Sequence, residues 1–447
     1  MIKYKLNNSA LGYVWQNEFC LHEKVLLMGF MFRIFVEYLS FFVLLGDHHS
    51  IAKALFNTTK WYPATFYFEL LFTLIFSIGI LFFGVVLYFG LRINPRSLIG
   101  KIAFIIPSGF LIFFHIALHL QSITLPWACF FVVFAFLFVI AFALEKSMML
   151  HSLIGIVKSK LQFYVLIKLV FIIIVFSLIG ATFLHKLTMV FTMNDDLYQA
   201  NGFGNMSHPS TYQVMFMPLL ILNLITSIVE VRLSRYKKGI SSSKAKEIWS
   251  YLTFYSRHML ARAGIGVLIG AFLVEWYFIL PILLQSTLNI PPDTISSMIL
   301  IASIVSLIAN LVIAHFLSSI DINKLFLGML IAFMLAIIFV SYNLYYKHLI
   351  FISVLVIALF YNSIQSIINK LIHYEIMDLS ISLVFLIIGT EFSLIWSGFL
   401  TSGISVFLAD KLSNVYHVFV IPMVLVFFIF INLFSYYHLR TKIIRGH

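Results

Sequence analysis

Residues 259–284 read Met259-Leu-Ala-Arg-Ala-Gly-Ile-Gly-Val-Leu-Ile-Gly-Ala-Phe-Leu-Val-Glu275-Trp-Tyr-Phe-Ile-Leu-Pro281-Ile-Leu-Leu284, an apolar run with Arg262 near its start and one carboxylate well inside it. A helix crosses the hydrocarbon core with roughly 20 predominantly apolar residues, so this stretch has the length and character of a membrane span. Working outward, comparable runs lie near 25–46, 65–90, 101–121, 125–144, 161–185 and 212–233 on the N-terminal side. On the C-terminal side they lie near 294–317, 324–342, 349–371, 378–408 and 415–437. The run 378–408 is overlong, and a tilt or a break at Gly398 or Gly403 accommodates it.

Composition agrees. Of the 447 residues, 62% are hydrophobic and 10% are Asp, Glu, Lys or Arg. A soluble surface needs roughly 25% charge. The mean hydropathy of +1.04 and the 49 Phe place most of the surface against lipid. The net charge of +12 sits in short loops between apolar runs, where it sets topology and meets anionic headgroups, so nucleic acid is not the expected partner. The two cysteines, Cys20 and Cys129, give no disulfide framework and no Cys-based metal site. Nothing at the N-terminus reads as a cleavable signal.

The distribution of Lys and Arg orients the chain. With the N-terminus inside, the inner segments hold Lys24, Arg92, Arg96, Lys101, Lys146, Lys158, Lys160, a dense group from Arg232 to Arg262, Lys324, Lys370 and the tail Arg440, Lys442, Arg445. The outer loops keep Lys53, Lys60, Lys347, Lys411 and the boundary residue Lys186, while 187–211 has Asp195 and Asp196 but no cation. The positive-inside rule therefore predicts both termini in the cytoplasm. The longest inner connection, 234–258, divides the spans six and six. It contains Ser241-Ser242-Ser243, and its stretch 244–255 reads as a helix lying on the inner membrane face. The expected organisation is a cytoplasmic segment 1–24, a six-helix bundle 25–233, a basic linker 234–258, a second six-helix bundle 259–437 and a cytoplasmic tail 438–447. The fold class is all-α membrane protein, about twelve transmembrane helices in two six-helix bundles.

The stretch Gly270-Ala-Phe-Leu-Val-Glu-Trp-Tyr-Phe-Ile-Leu-Pro281-Ile-Leu-Leu-Gln285-Ser-Thr-Leu-Asn-Ile-Pro291-Pro292 resembles the seventh span and outer loop of the major facilitator superfamily, nearest its drug–proton antiporter branch. Ile320-Asp321-Ile322-Asn323-Lys324-Leu325 lies where that family has a Phe-Asp-Pro-Arg-Arg-Leu-like turn. Gly90-Leu-Arg-Ile-Asn94-Pro-Arg96-Ser-Leu lies where it has its G-x-x-x-D-x-x-G-R-[KR] loop, with Asn94 in place of Asp and no Gly-Arg pair. The fifth span lacks the Gly-Pro motif typical of exporting antiporters. The resemblance implies the major facilitator fold, a central cavity lined by spans one, four, seven and ten, and a conformational role for Gly90, Asn94, Arg96, Asp321 and Lys324.

An ionised group at the bilayer centre costs roughly 2.5–3.5 kcal/mol on insertion scales, so each needs a reason. Glu37 lies in span one with Arg33 one turn before it on the same face. The two are either a self-neutralising packing pair or a proton site held ionised by Arg33. Glu275, beside Trp276 and Tyr277, occupies the corresponding span of the second half. It is either a proton-exchanging carboxyl or a hydrogen-bond donor to a neighbouring helix. Glu391, between small neighbours, is a helix–helix hydrogen bond or a substrate contact. His115 and His119 share a helix face, but two imidazoles make half a metal site, so no metal is expected and a packing or proton-relay role remains. Asn362, Gln365 and Asn369 form a polar stripe on span ten, which the resemblance makes a cavity helix. Gly266 and Gly270 form a G-x-x-x-G packing face, and Glu69 and Glu230 read as interfacial, solvated carboxylates. With no phosphate-cradling Gly-rich loop, the chain has no ATP-hydrolysing motor of its own.

These features predict a secondary active transporter of a small amphipathic solute in the inner (cytoplasmic) membrane. It would act by proton-coupled, multidrug-type efflux through Glu37, Glu275 and Arg33, with Asn362, Gln365, Trp276, Tyr277, His115 and Glu391 toward the solute. The partners are the solute, protons and the lipid bilayer, with no cofactor, and the expected state is a monomer. The alternatives are import of a peptide or metal chelate, or a polytopic membrane enzyme. The short loops, without metal-spaced clusters, argue against the enzyme.

Overall fold

The computed structural model describes residues 15–46, 92–93, 97–102, 105, 133, 140, 144–145, 149, 153, 155–159, 162–163, 165–166, 169–170, 172–184, 211–233, 246–247, 250, 284, 290–317 and 322–359. Four long helices stand among them: α1 (Leu21–Gly46), α2 (Thr211–Leu233), α3 (Pro292–Leu317) and α4 (Ile322–Tyr345). The described residues from 162 to 184, and 350–359 after α4, are helical as well. Between α2 and α3, Lys246 and Glu247 are helical and exposed, while the rest of 244–255 apart from Ser250 lies outside the described residues.

Local chemistry sets the helix ends. Ahead of the 162–184 helix, Ser159 and Gln162 form a capping box: Gln162 N donates to Ser159 Oγ at 3.1 Å and Ser159 N donates to Gln162 Oε1 at 3.2 Å. The same two side chains hold the N-terminal segment, since Ser159 Oγ donates to Glu18 Oε2 and Gln162 Nε2 donates to Glu18 O. At the start of α1, Cys20 N donates to Glu23 Oε2 at 3.0 Å. Pro292 opens α3 at the first helical position, where its missing N–H costs nothing. At the far end of α4, His348 N reaches back to Asn343 O at 2.9 Å while Lys347 takes a φ of 58°. This is a Schellman-type stop built without glycine. Tyr342, Tyr345 and Tyr346 are exposed around that turn, the position of an interfacial aromatic belt.

Two elements are fixed around α1. It packs against α2 in the antiparallel sense, because Arg33 meets Thr226 and Ser227 while Ser40 meets Asn223. It runs parallel to the 162–184 helix, because Glu23 meets Lys158 at one end and Phe35 O accepts from Ser177 Oγ further along. Gly180 permits the close approach there: a Cβ at that position would lie 3.1 Å from Leu39 Cδ1. Parallel helices enter a bilayer from the same face, so the segments before α1 and before the 162–184 helix share one face. That is the relation expected of spans one and five.

Polarity runs inside out. On α2, Asn223, Thr226 and Glu230 are each 2% exposed, while Ile221 and Ile228 on the other side are 54% and 55% exposed. On α1 the exposed stripe is Leu21, Val25, Met28 and Phe32, and Arg33 is fully buried. Water would enforce the reverse arrangement, whereas lipid favours apolar side chains outside and sends polar groups inward to find partners. Counted over the described residues alone, no helix is long and apolar enough to cross a membrane. Two of the helices are nevertheless apolar along their whole sequences. Pro292–Leu317 carries one charged residue, Asp293, in 26 positions, and Ile322–Tyr345 carries one, Lys324, in 24. At 1.5 Å per residue such helices are about 36–39 Å long, against a core of about 30 Å.

Candidate functional site

Several buried polar side chains among the described residues of the first half converge on Arg33. Its position on α1 is one turn before Glu37, and the i,i+4 spacing brings Glu37 Oε1 to 3.0 Å from Arg33 Nε. The Nε–H is directed at a second carboxylate, Glu145 Oε1, at 2.8 Å. Arg33 Nη1 donates to Thr226 Oγ1 at 2.9 Å and to Ser227 Oγ at 3.1 Å, with Asn223 O at 3.3 Å. Asn223 Nδ2 donates to Ser40 Oγ at 2.8 Å, which extends the network one turn further along α1. Glu230 lies one turn beyond Ser227 on α2 and within electrostatic reach of Arg33.

Burial makes the arrangement consequential. Arg33 and Glu145 are fully enclosed, and Glu37 keeps 10% of its side chain accessible. Removing such ions from water costs several kcal/mol each, which close pairing and hydrogen bonds to the remaining donors offset. Arg33 Nη2 has no hydrogen-bond partner among the described residues. The cluster therefore joins the first span to the end of the fourth-span run and to the sixth span through one guanidinium.

A second polar group lies at the shared end of α1 and the 162–184 helix, where Lys158 Nζ meets Glu23 Oε1 at 2.7 Å. Burial alone would raise the Glu23 carboxyl, but the hydrogen bond from Lys158, those from Cys20 and the Lys158 charge hold it below its ordinary value. The same hydrogen bond and the Glu23 charge hold the Lys158 ammonium above its own.

Of the residues singled out in the sequence, Arg33 and Glu37 stand together as the spacing predicts. Lys324 is exposed in the first turn of α4. Glu275, Trp276, Tyr277, His115, Asn362, Gln365, Glu391, Gly90, Asn94, Arg96 and Asp321 lie outside the described residues. One expectation is corrected: Glu230 is not a solvated interfacial carboxylate but a buried one on the network face of α2. Sequence reasoning missed Glu145, Asn223, Thr226 and Ser227. The last three precede Glu230 at i, i+3, i+4 and i+7, a helical stripe in an apolar span that could have revealed them. Glu145 follows directly on the apolar run 125–144 and has the look of a loop residue.

No family model matches the sequence, and no curated protein matches it. Solved structures do. The chain is similar to the human organic anion transporter MFSD10 (TETRAN) at 8% identity over 91% of this chain and 99% of that one, with a TM-score of 0.58. A bacterial homologue of the iron transporter ferroportin, in an outward-facing state, matches at 15% identity over 93% and 100%, also at 0.58. A D-xylose–proton symporter matches at 13% over 92% and 97%, again at 0.58. At these identities the likeness is one of fold, and it supports the twelve-helix fold of the major facilitator superfamily.

Proposed function

We propose that this chain is a secondary active transporter that moves a small amphipathic solute across the cytoplasmic membrane by alternating access, in proton-coupled export. The observation that carries this reading is the ionic cluster on α1, sealed inside a bundle whose outer face is apolar. Intramembrane ionisable groups are expensive, and proton relays are among their established uses. The fold supplies the setting, with two six-helix halves rocking about a site between them. A D-xylose–proton symporter among the structural neighbours is itself proton-coupled. In this reading Glu37, with Arg33, takes and releases the proton in the first half and Glu275 does so in the second. The solute faces Trp276, Tyr277, His115, Asn362, Gln365 and Glu391. The loop residues Gly90, Asn94, Arg96, Asp321 and Lys324 govern the change of conformation. The antiporter resemblance of 270–292 favours export, and no enzymatic step is assigned.

The test is flux. Purified protein in liposomes is given a pH step with a panel of fluorescent lipophilic cations, organic anions and monosaccharides inside or outside. Protein-dependent, saturable movement of one class against its gradient, abolished by a protonophore, is the expected result. Protein-dependent movement that ignores the pH step would overturn proton coupling, and no protein-dependent movement of any class would overturn the solute assignment.

A further inference from the structure

We propose that Glu145 is a positioning residue that sets the protonation of Glu37 by competing with it for Arg33. The inference deepens the transport reading and rests on it for its meaning in the cycle. Arg33 Nε carries a single hydrogen. Two carboxylate oxygens approach that nitrogen, Glu145 Oε1 at 2.8 Å with hydrogen-bond geometry and Glu37 Oε1 at 3.0 Å as an ion-pair contact. One N–H cannot serve both acceptors equally. While Glu145 holds it, Arg33 stabilises the Glu37 anion by charge alone.

The Nη1 arm of the guanidinium is held in place. Thr226, Ser227 and the Asn223 carbonyl on α2 fix Nη1, so Arg33 cannot swing wholly toward Glu37 without breaking contacts to the sixth span. Glu145 is fully enclosed, whereas Glu37 retains an accessible edge. Of the two carboxyls, Glu37 is the one left open to proton exchange, and Glu145 acts on it through Arg33. Among the described residues, the charged groups gathered at Arg33 are Glu37 on its own helix, Glu145 just after the fourth-span run and Glu230 from α2. The 162–184 helix presents Ser177 and no titratable group among its described residues.

The sign follows directly. Replacing Glu145 by a neutral side chain removes a negative charge from the neighbourhood and releases Nε–H to Glu37. Both changes favour the Glu37 anion, so its proton affinity falls. In a transporter, that moves the pH range of coupling toward acid.

The experiment reads the proton directly. The full chain in lipid is titrated while the infrared carbonyl-stretch band of protonated carboxyls is followed, with the Glu37 band assigned by its loss in Glu37→Gln. In Glu145→Gln the midpoint of that band should move to lower pH by about one unit or more, about a tenfold loss of proton affinity. An unchanged midpoint, or a shift to higher pH, would overturn the proposal. If Glu145→Gln does not fold, Glu145→Asp retains the charge but shortens its reach to Nε. It should shift the midpoint in the same direction by less, and an unchanged or higher midpoint there counts equally against the proposal. The titration needs no solute, so a failure of the transport assignment leaves this readout standing and the two can be told apart.

Discussion

Arg33 is the residue on which the described part of the first half turns, because its guanidinium pairs with both Glu37 and Glu145. Its link to Glu37 was legible in the sequence, since residues four apart on one helix must be neighbours. Its link to Glu145 was not. That contact joins positions 112 apart in the chain, and nothing in the local pattern of either segment announces it. Removing one member of a buried ion pair leaves its partners charged and without compensation, at a cost of about 3–5 kcal/mol. Arg33→Met, which keeps an apolar stem of similar length, should therefore lower the melting temperature of the purified protein sharply. Glu37→Gln, which removes charge from the accessible member of the cluster, should lower it far less. Equal small losses from the two variants would show that the cluster is not the structural hub described.

At the scale of the elements, hydropathy located the four long described helices well and their ends less well. The first span was read from 25, but α1 starts at Leu21, because Glu23 belongs to the helix as a capping group while lying outside the apolar stretch. The span read to 342 continues to Tyr345, since tyrosines at an interface extend a helix beyond the part that hydropathy scores. The contact between Glu23 and Lys158 ties two such ends together, and its pH dependence has a definite sign. Glu23 sits below its ordinary value, so its contribution is full above the usual carboxylate range and is lost as pH falls through its lower folded value. Lys158 sits above its ordinary value, so its contribution is full below the usual lysine range and is lost as pH rises through its higher folded value. Lys158→Met should thus melt slightly earlier than the parent protein at neutral pH, and the difference should vanish in acid below the carboxylate range. A difference that persists unchanged into acid would remove the ion pair from the explanation.

For the whole molecule, the apolar runs were readable because lipid leaves few ways for a chain to satisfy its backbone. The packing of one span on another was beyond a single sequence. It depends on which polar groups find each other, as Asn223, Thr226 and Ser227 find α1. The shared face of the α1 and 162–184 helix starts makes the exposed Cys20 a reporter for orientation. In a Cys129→Ser background, an impermeant thiol reagent should leave Cys20 unlabelled in intact cells and label it once the membrane is opened. Labelling in intact cells would invert the proposed topology. The central claim, that proton movement through the first span drives solute movement, is tested most directly by comparing wild type with Glu37→Gln at matched amounts in liposomes under a pH step. The neutral variant should exchange solute across the membrane yet fail to accumulate it against a gradient, whereas equal pH-driven accumulation by the two proteins would contradict the claim.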